Sequence, residues 1–457
     1  MDQRRFFLTT APGRLFAAAA VPGMVSMLAS ALYQLADGVL VGRILGDTPF
    51  AALNLAMPFV IINFAISDMI GVGSSVPISI ALGHGDDDAA NEYFTASCLS
   101  IFISGTATGA LLFLAAPALI GLMGAEGIFA EYAVQYLRVY ALCSPLTTIV
   151  YATDNYLRIC GKIKSSMALN IFMSGLSAFL EFLFLFVFGW GIWAAALGTC
   201  LGMMAAAVIA LTPFALGKMK LRFCRPKVTP EMIGRIIRSG LPTFLNNIAG
   251  RITSIVMNMM LVRLGGETAV SVYGILMYAD GLILPLLYGM CDALQPAVGY
   301  NWGAGRPSRV RAIEKYCFGA SGAISLVSGT VLFLFPEAVA LVFMTGEDPA
   351  YLAMAVTALK LFSVTYLTRW ISLACQSLLQ AIEKSLAAAC ISVAMALLFP
   401  MALLAVLNPL GLTGIWLNFP GTSLLGAVLA VILLRRQWPA LAAPDRPVWT
   451  DEQLTGL

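Results

Sequence analysis

Charge is the first thing that this sequence lacks. Only 11% of its 457 residues are charged, 60% are hydrophobic, and the mean hydropathy is +0.87. Soluble domains carry about 25% charged residues, so this chain has too few to cover a water-facing surface. A membrane-spanning helix needs about 20 apolar residues, and with its loop each crossing uses about 35. The composition therefore predicts an all-α integral membrane protein with about twelve transmembrane helices.

Residues for metal, redox and nucleotide chemistry are also scarce. His84 is the single histidine, and the nine cysteines form no Cys-x-x-Cys pair, which argues against a zinc site and a redox dithiol. A phosphate-binding loop of the Gly-x-x-x-x-Gly-Lys-Ser/Thr type is absent, and the net charge of +3 is dispersed, which argues against ATP hydrolysis and nucleic acid. The acidic run at 86–88 reads as a helix start rather than a metal site. We therefore expect neither an enzyme nor a cofactor.

Stretches without Asp, Glu, Lys or Arg mark the membrane spans. Four such stretches are 93–125, 182–217, 316–336 and 385–434. Turn sequences divide two of them, Gly-Trp-Gly at 189–191 and Asn-Pro-Leu-Gly at 408–411. The predicted spans are 15–40, 51–81, 95–123, 132–157, 166–188, 192–216, 237–262, 269–300, 314–341, 352–378, 387–407 and 412–434.

The basic residues are unevenly distributed between alternate loops. Most of the 27 Lys and Arg residues fall on the side of the N-terminus, whereas the opposite loops contain only Arg43 and Arg263. Cytoplasmic loops of membrane proteins are enriched in Lys and Arg. We therefore expect a multi-pass protein with both termini in the cytoplasm.

The second half of the chain repeats the first at an offset of 220 residues. Identical residues then align: Pro22 with Pro242, Arg43 with Arg263, Gly46 with Gly266, Gly83 with Gly303 and Gly85 with Gly305. After a three-residue insertion, Gly198-Thr199 aligns with Gly421-Thr422. Each repeat contains six spans, so both halves have the same topology, as in transporters that bind substrate between two parallel repeats. The alternative is a duplicated scaffold without a transport role.

The repeat also predicts how the chain is divided. We expect a six-helix N-terminal lobe at 1–217, a cytoplasmic linker at 218–233, a six-helix C-terminal lobe at 234–436 and a short cytoplasmic tail at 437–457. We expect the chain to act as a monomer, with the lipid bilayer and small molecules as its partners.

The aligned positions resemble the multidrug and toxic compound extrusion (MATE) family. The matching strings are Asp37-x4-Gly42-Arg43-x2-Gly46, Gly83-x-Gly85, Gly240-x-Pro242 and, at 295–305, Gln-Pro-x2-Gly-Tyr-Asn-Trp-Gly-Ala-Gly. The resemblance covers nearly the whole chain and implies twelve helices in two six-helix lobes. It implies secondary active efflux of amphipathic organic cations by antiport with H⁺ or Na⁺. It also implies a bacterial inner membrane as the location.

Two acidic residues inside the first six spans are candidates for ion coupling. A charge at mid-membrane costs about 2.5–3.5 kcal/mol even on the lenient insertion scale, so Asp37 in the first span is a functional candidate that can bind H⁺ or Na⁺. The alternative is an aspartate at a helix end, packed against Arg43 or water. Glu181 lies in the otherwise uncharged fifth span, and its alternative role is to pair with a buried arginine.

The resemblance implies an ion site around these two residues. In the family, an Asn-x-x-x-Asp pair on helix five and a Thr on helix six join the aspartate of helix one. Ser177 and Glu181 stand at the Asn and Asp positions here, and Thr199 matches the Thr. The spacing of four residues keeps Ser177 and Glu181 on one helix face.

The second half carries different charges inside its spans. Asp280 and Asp292 lie in the eighth span, and Arg251 and Arg369 lie in the seventh and tenth. The two acids are candidates for attracting cationic substrates or for pairing with the two arginines. Some family branches have a Na⁺ site on helices seven and ten, but the arginines there argue against it in this chain.

Uncharged polar residues at span depth are the remaining cavity candidates. Tyr33, Gln34 and Gln295 either line a substrate cavity or hydrogen bond between helices. The rival function is a flippase or exporter of a lipid-linked or anionic intermediate, for which Arg251 and Arg369 would supply a cationic cavity. A membrane-embedded transferase would need an acidic or histidine cluster that this sequence does not contain.

Overall fold

The computed structural model describes residues 3–225, 227–343, 349–449 and 453. Pro226 of the predicted linker and residues 450–452 and 454–457 of the predicted tail lie outside this described part. The described chain is built from helices, as its apolar composition requires, because a backbone in lipid must satisfy its own hydrogen bonds.

The helices follow one another with short connections. Those of the first half are α1 (Gln3–Thr9), α2 (Pro12–Leu45), α3 (Asp47–His84), α4 (Asp87–Leu122), α5 (Gly127–Thr147), α6 (Val150–Ile159), α7 (Ile163–Phe182) and α8 (Ile192–Ala215). Those of the second half are α9 (Pro230–Gly266), α10 (Thr268–Gly303), α11 (Pro307–Leu334), α12 (Pro336–Phe343), α13 (Pro349–Ser363), α14 (Arg369–Ala381), α15 (Ser385–Val393), α16 (Phe399–Leu407) and α17 (Gly411–Leu441). Two π-helical segments, Leu183–Val187 and Ala394–Leu398, extend α7 and join α15 to α16.

The helices make twelve membrane crossings. Ten stretches of the described chain are long and apolar enough to cross a membrane. The fourth crossing, α5 followed by α6, adds another, although it carries charged residues such as Arg138 and Asp154. The last of the ten stretches, Ser385–Leu441, contains two crossings, because the chain turns at Gly411, where φ is 59°. The predicted number of helices is confirmed.

Glycines with positive φ separate consecutive crossings at positions that the sequence predicts. Gly46 (φ 90°) ends α2, and its repeat counterpart Gly266 (φ 61°) ends α9. Gly189 (φ 65°) and Gly411 (φ 59°) lie in the two predicted turns. Residues with a side chain rarely adopt these angles, so glycine permits the reversals.

The helices extend beyond the spans that the charge gaps predict. The first predicted span, 15–40, lies inside the longer helix α2. The ninth, 314–341, is displaced, because α11 begins at Pro307 and ends at Leu334. Charge gaps locate only the apolar part of a helix, whereas its first and last turns continue into the polar interface.

Buried apolar side chains of the described chain form three large clusters and one small one, and the three large clusters define two lobes. One cluster lies within the first half and includes Val41 and Tyr136, and one lies within the second half and includes Leu261 and Phe362. The third joins both halves near the chain termini. The molecule therefore consists of two six-helix lobes that pack against each other at the end that carries the termini.

Glycines that align in the repeat make this contact between the lobes. A Cβ on Gly83 of α3 would meet the Tyr300 carbonyl O of α10 at 2.3 Å, and a Cβ on Gly303 of α10 would meet the Ile80 carbonyl O of α3 at 2.2 Å. Trp449 of the tail donates from Nε1 to the Gly83 carbonyl O at 2.8 Å and covers this crossing. The lobes are thus closed against each other at the end with the termini.

Candidate ion and substrate sites

A pair of buried carboxyl groups lies in the N-terminal lobe. Asp37 on α2 is 5% exposed, Glu181 on α7 is fully buried, and their side chains lie within hydrogen-bond reach of each other. Asp37 Oδ1 and Glu181 Oε1 receive no hydrogen bond from the donors that the structure describes. Because ionised carboxylates only accept hydrogen bonds, these two can bond to each other only when one of them carries a proton.

Hydroxyl groups complete this site. Tyr33 on α2 places its Oη 2.6 Å from Thr199 Oγ1 and 3.5 Å from Glu181 Oε2. Ser177, one turn before Glu181 on α7, donates from Oγ to the Thr199 main-chain O at 3.4 Å. The structure therefore brings together the four residues predicted for the ion site. Tyr33, predicted as a cavity residue, joins them.

Two glycines of α8 allow these helices to approach so closely. A Cβ on Gly198 would lie 2.8 Å from the Glu181 main-chain N, and a Cβ on Gly202 would lie 2.1 Å from Ser177 Oγ. Sequence reasoning did not include them in the site. For Gly198 the sequence did contain an indication, because this glycine recurs as Gly421 in the repeat.

The acidic pair has no basic partner in the described part of the chain. The ion pairs that the structure describes involve neither Asp37 nor Glu181. Tyrosines of α5 pack nearby instead, and Tyr140 lies within hydrogen-bond reach of Thr199. Tyr140 gave no signal in the sequence, since a tyrosine within an apolar span is equally suited to packing.

The C-terminal lobe holds a cavity of about 400 Å³ between α9, α10, α14 and α17. Its described lining contains two charged residues, Arg251 of α9 and Arg369 of α14. Amide side chains, among them Asn246, Asn247 and Gln376, also reach the cavity. This lining thus combines positive charge with neutral hydrogen-bonding groups.

The predicted acidic residues of this lobe are engaged with neighbouring side chains. Asp280 accepts hydrogen bonds from Arg369 Nη1, at 3.1 Å and 3.2 Å from its two oxygens, and from Tyr366 Oη at 2.5 Å. Asp292 accepts from Gln295 Nε2 at 3.1 Å. Neither carboxylate belongs to the described lining of the cavity. Of the two predicted alternatives for Asp280, the structure contains the pair with arginine.

The two predicted glutamines do not line this cavity. Gln295 donates to Ser377 Oγ at 3.3 Å and so links α10 to α14. Gln34 is exposed on α2, and its side chain forms no hydrogen bond with the residues that the structure describes. Both were predicted as substrate-cavity candidates, and neither belongs to the described lining of this cavity.

Comparison with known proteins gives the family. The family model MatE matches residues 22–183 and 242–406, two stretches that begin at the repeat-related Pro22 and Pro242. The multidrug export protein MepA of Staphylococcus aureus (strain NCTC 8325 / PS 47) is 27% identical over 430 residues, which are 91% of this chain and 92% of the relative. MepA of Staphylococcus saprophyticus is 26% identical over 437 residues, with the same coverage of both chains.

Solved structures share the fold. An outward-facing multidrug resistance MATE family transporter of the MOP superfamily superimposes with a TM-score of 0.90 at 23% identity, over 95% of this chain and 98% of that one. A MATE structure in complex with MaL6 gives a TM-score of 0.91 at 22% identity, over 97% of this chain and 100% of that one. The predicted twelve-helix, two-lobe fold is confirmed. Since the family model matches well over half of the sequence, the chain belongs to the MatE family of multidrug efflux transporters and is not an enzyme.

Proposed function

We propose that the protein exports amphipathic small molecules by antiport with H⁺ and that Asp37 and Glu181 form the site that takes up the ion. The observation that carries this proposal is the contact of two carboxyl groups in the buried part of the N-terminal lobe. Two carboxylates in contact repel each other strongly where water is excluded, and uptake of a cation removes that repulsion. Binding of the coupling cation between Asp37 and Glu181 is therefore favourable.

A proton suits this pair better than a metal ion does. One shared proton turns the contact between Asp37 and Glu181 into a hydrogen bond. The hydroxyl of Tyr33, between Glu181 and Thr199, supplies a further group that can both donate and accept. Na⁺ at Asp37 is the alternative ion, and its oxygen ligands would come from the same side chains.

Helix α2 connects the ion site to the other lobe. It carries Asp37 in its second half and Pro22 in its first half, and a proline inside a helix bends it because one hydrogen bond is missing. Next to Pro22, a Cβ on Gly23 would meet the Gly289 carbonyl O of α10 at 2.2 Å. We propose that ion uptake changes the bend of α2 and so its fit against α10, which allows the two lobes to rock and expose the substrate to alternate sides.

The distribution of basic residues supports the orientation. With both termini in the cytoplasm, the closed contact between the lobes lies on the cytoplasmic side. The proposed division of the chain is an N-terminal lobe at 1–217, a cytoplasmic linker at 218–233, a C-terminal lobe at 234–436 and a cytoplasmic tail at 437–457. The bacterial relatives are multidrug export proteins, which supports a cytoplasmic membrane and a range of small molecules as substrates. We propose amphipathic organic cations among these substrates and a monomer as the working unit.

Transport by purified protein in proteoliposomes tests the coupling. A fluorescent cationic dye is offered while a pH gradient and a Na⁺ gradient are imposed separately. We expect the pH gradient to drive dye transport. In the Asp37→Asn variant the gradient-driven rate should fall at least about tenfold, because a coupling free energy of typical size is lost. The matched control is Asp88→Asn, which removes an exposed carboxylate at the start of α4 and should transport like the original chain.

Two results would overturn parts of this proposal. Full gradient-driven transport by the Asp37→Asn variant would remove the acidic pair from the coupling mechanism. Transport driven by the Na⁺ gradient alone would keep the pair but replace H⁺ with Na⁺ as the coupling ion.

A further inference from the structure

The cavity of the C-terminal lobe differs from the ion site in the charge of the residues that line it. Its volume of about 400 Å³ lies within the range of about 300–1,000 Å³ that is usual for small-molecule sites. Arg251 and Arg369 line it, and its described lining contains no carboxylate. The cavity therefore presents positive charge, opposite in sign to the acidic pair of the N-terminal lobe.

The two arginines of this cavity differ in their partners. Arg369 is held by the carboxylate of Asp280, which also accepts a hydrogen bond from Tyr366. Arg251 forms neither an ion pair nor a hydrogen bond with any residue of the described ranges. The charge of Arg369 is thus matched inside the protein, whereas the charge of Arg251 is available to a ligand.

Arg251 also lies deep in the membrane-spanning part of its helix. It precedes the end of α9 at Gly266 by 15 residues, or about 22 Å at a rise of about 1.5 Å per residue. Arginines at this depth pair with an anion or face a water-filled cavity, and they mark substrate or ion pathways. Without an internal partner in the described chain, Arg251 fits the second arrangement and can take its anion from a substrate.

The remaining lining suits a ligand with one polar end. The side chains of Asn247 and Gln376 reach the cavity and make no hydrogen bond with the residues described, so their amide N–H groups can donate to a ligand. Met257, Met277 and Phe419 supply apolar surface to the same cavity. Methionine side chains adapt to ligands of different shape.

We propose that this cavity binds the carboxylate of an amphipathic substrate and that the guanidinium of Arg251 is its anchor. The planar fork of N–H groups matches the two oxygens of a carboxylate, and the methionines and Phe419 surround the apolar body. The inference rests on the proposed function, because it names a class of substrate for the same transporter. Zwitterionic and anionic amphiphiles are then exported in addition to organic cations.

A matched pair of dyes tests this inference by equilibrium binding to the purified protein in detergent. One dye is a zwitterionic rhodamine with a free benzoate, and the other is the methyl ester of the same dye, which lacks the negative charge. We expect the original chain to bind the free benzoate more tightly than the ester. A charged hydrogen-bonded pair is commonly worth a factor of about 10 to 100 in affinity, so Arg251→Gln should weaken binding of the benzoate by about tenfold or more and leave the ester unaffected.

Two further variants keep the result interpretable. Arg251→Lys retains the charge without the planar fork and should bind the benzoate with intermediate affinity. Arg263→Gln removes a basic residue of the same helix outside the described cavity lining and should bind both dyes like the original chain. The comparison of benzoate and ester on the unmodified protein needs no variant and is itself a test.

Each contrary result has a defined meaning. Equal affinity of the unmodified protein for both dyes, or equal loss of both dyes in Arg251→Gln, would overturn the inference. Displacement of the benzoate dye by a phosphate-bearing lipid at a lower concentration than by unlabelled amphipathic carboxylate would replace the small-molecule class with a lipid headgroup. Because the binding assay uses no ion gradient, failure of the coupling proposal at Asp37 leaves its outcome unchanged, and the two failures can be told apart.

Discussion

The two lobes have the same helical scaffold but differ in charge: a pair of buried carboxyl groups lies in the N-terminal lobe, and two arginines line the cavity of the C-terminal lobe. At the repeat offset of 220 residues, Asp37 of the N-terminal lobe corresponds to Met257, and after the insertion Thr199 corresponds to Thr422. Met257 and Thr422 both line the cavity of the C-terminal lobe. The acidic pair of one lobe and the arginine-lined cavity of the other therefore occupy related places in the two repeats.

The comparison indicates how two lobes with the same fold can have different functions. The backbone positions are shared, so the change from a carboxylate at Asp37 to a thioether at Met257 removes the proposed ion ligand without altering the helices. The arginine at Arg251 then adds positive charge to the second lobe. An acidic lobe that takes up the ion and a basic lobe that holds a substrate group can both act on one interface between the lobes.

The largest effect that separates the lobes should come from their buried acids. Glu181 has no described basic partner, whereas Asp280 is matched by Arg369. We expect Glu181→Gln to lower the ratio of gradient-driven to gradient-free transport at least about tenfold. Asp280→Asn should lower the amount of folded protein, because it leaves the partly buried Arg369 without its partner, yet preserve that ratio.

The measurement is dye transport in proteoliposomes, normalised to the protein incorporated. A coupling ratio that falls equally in both variants would mean that the two lobes share the coupling role, and the division between them would have to be abandoned.

A smaller effect should distinguish two glycines that align in the repeat. A Cβ on Gly198 would meet the backbone of Glu181 at 2.8 Å, whereas a Cβ on Gly421 would meet only the end of the Leu403 side chain at 2.9 Å. A side chain can rotate away, but a helix backbone cannot. Gly198→Ala should therefore lower the free energy of unfolding by about 1–3 kcal/mol through overpacking and also displace Glu181. Gly421→Ala should lower the free energy of unfolding by less.

Thermal unfolding of the two variants in detergent checks this expectation. The melting temperature should fall further in Gly198→Ala than in Gly421→Ala, and the coupling ratio should fall only in Gly198→Ala. Equal melting temperatures would show that α7 and α8 have room to move apart.

Much of the fold could be predicted because lipid restricts what a chain can do. Spanning segments must be helices, so charge gaps reveal them, and the glycines at Gly46 and Gly266 align because both repeats turn at the same point. The helix ends could not be predicted in this way. α11 begins at Pro307, several residues before its apolar part, because polar residues are tolerated at the interface.

The buried acidic pair was easier to predict than the residues that line the cavity. Asp37 and Glu181 stand out because a carboxylate in an apolar span is costly. Asn247 and Gln376 carry no such signal, since a neutral amide fits equally well between two helices or on a cavity wall. The pairing of Asp280 with Arg369 depends on how α10 and α14 pack, which the order of residues along the chain does not specify.

The smallest effect should come from the hydroxyl of Tyr33. It links Thr199 at 2.6 Å to Glu181 at 3.5 Å, so Tyr33→Phe removes a hydrogen bond but no charge. A neutral hydrogen bond contributes about 0.5–1.5 kcal/mol, and we expect the gradient-driven transport rate to fall about two- to tenfold while the benzoate and ester dyes bind the C-terminal lobe with unchanged affinities. Tyr316→Phe, an exposed tyrosine of the C-terminal lobe, is the matched control and should leave the rate unchanged. A loss of benzoate binding in Tyr33→Phe would mean that the two sites are not separate, since a hydroxyl of the acidic lobe would then contribute to the anion site of the basic one.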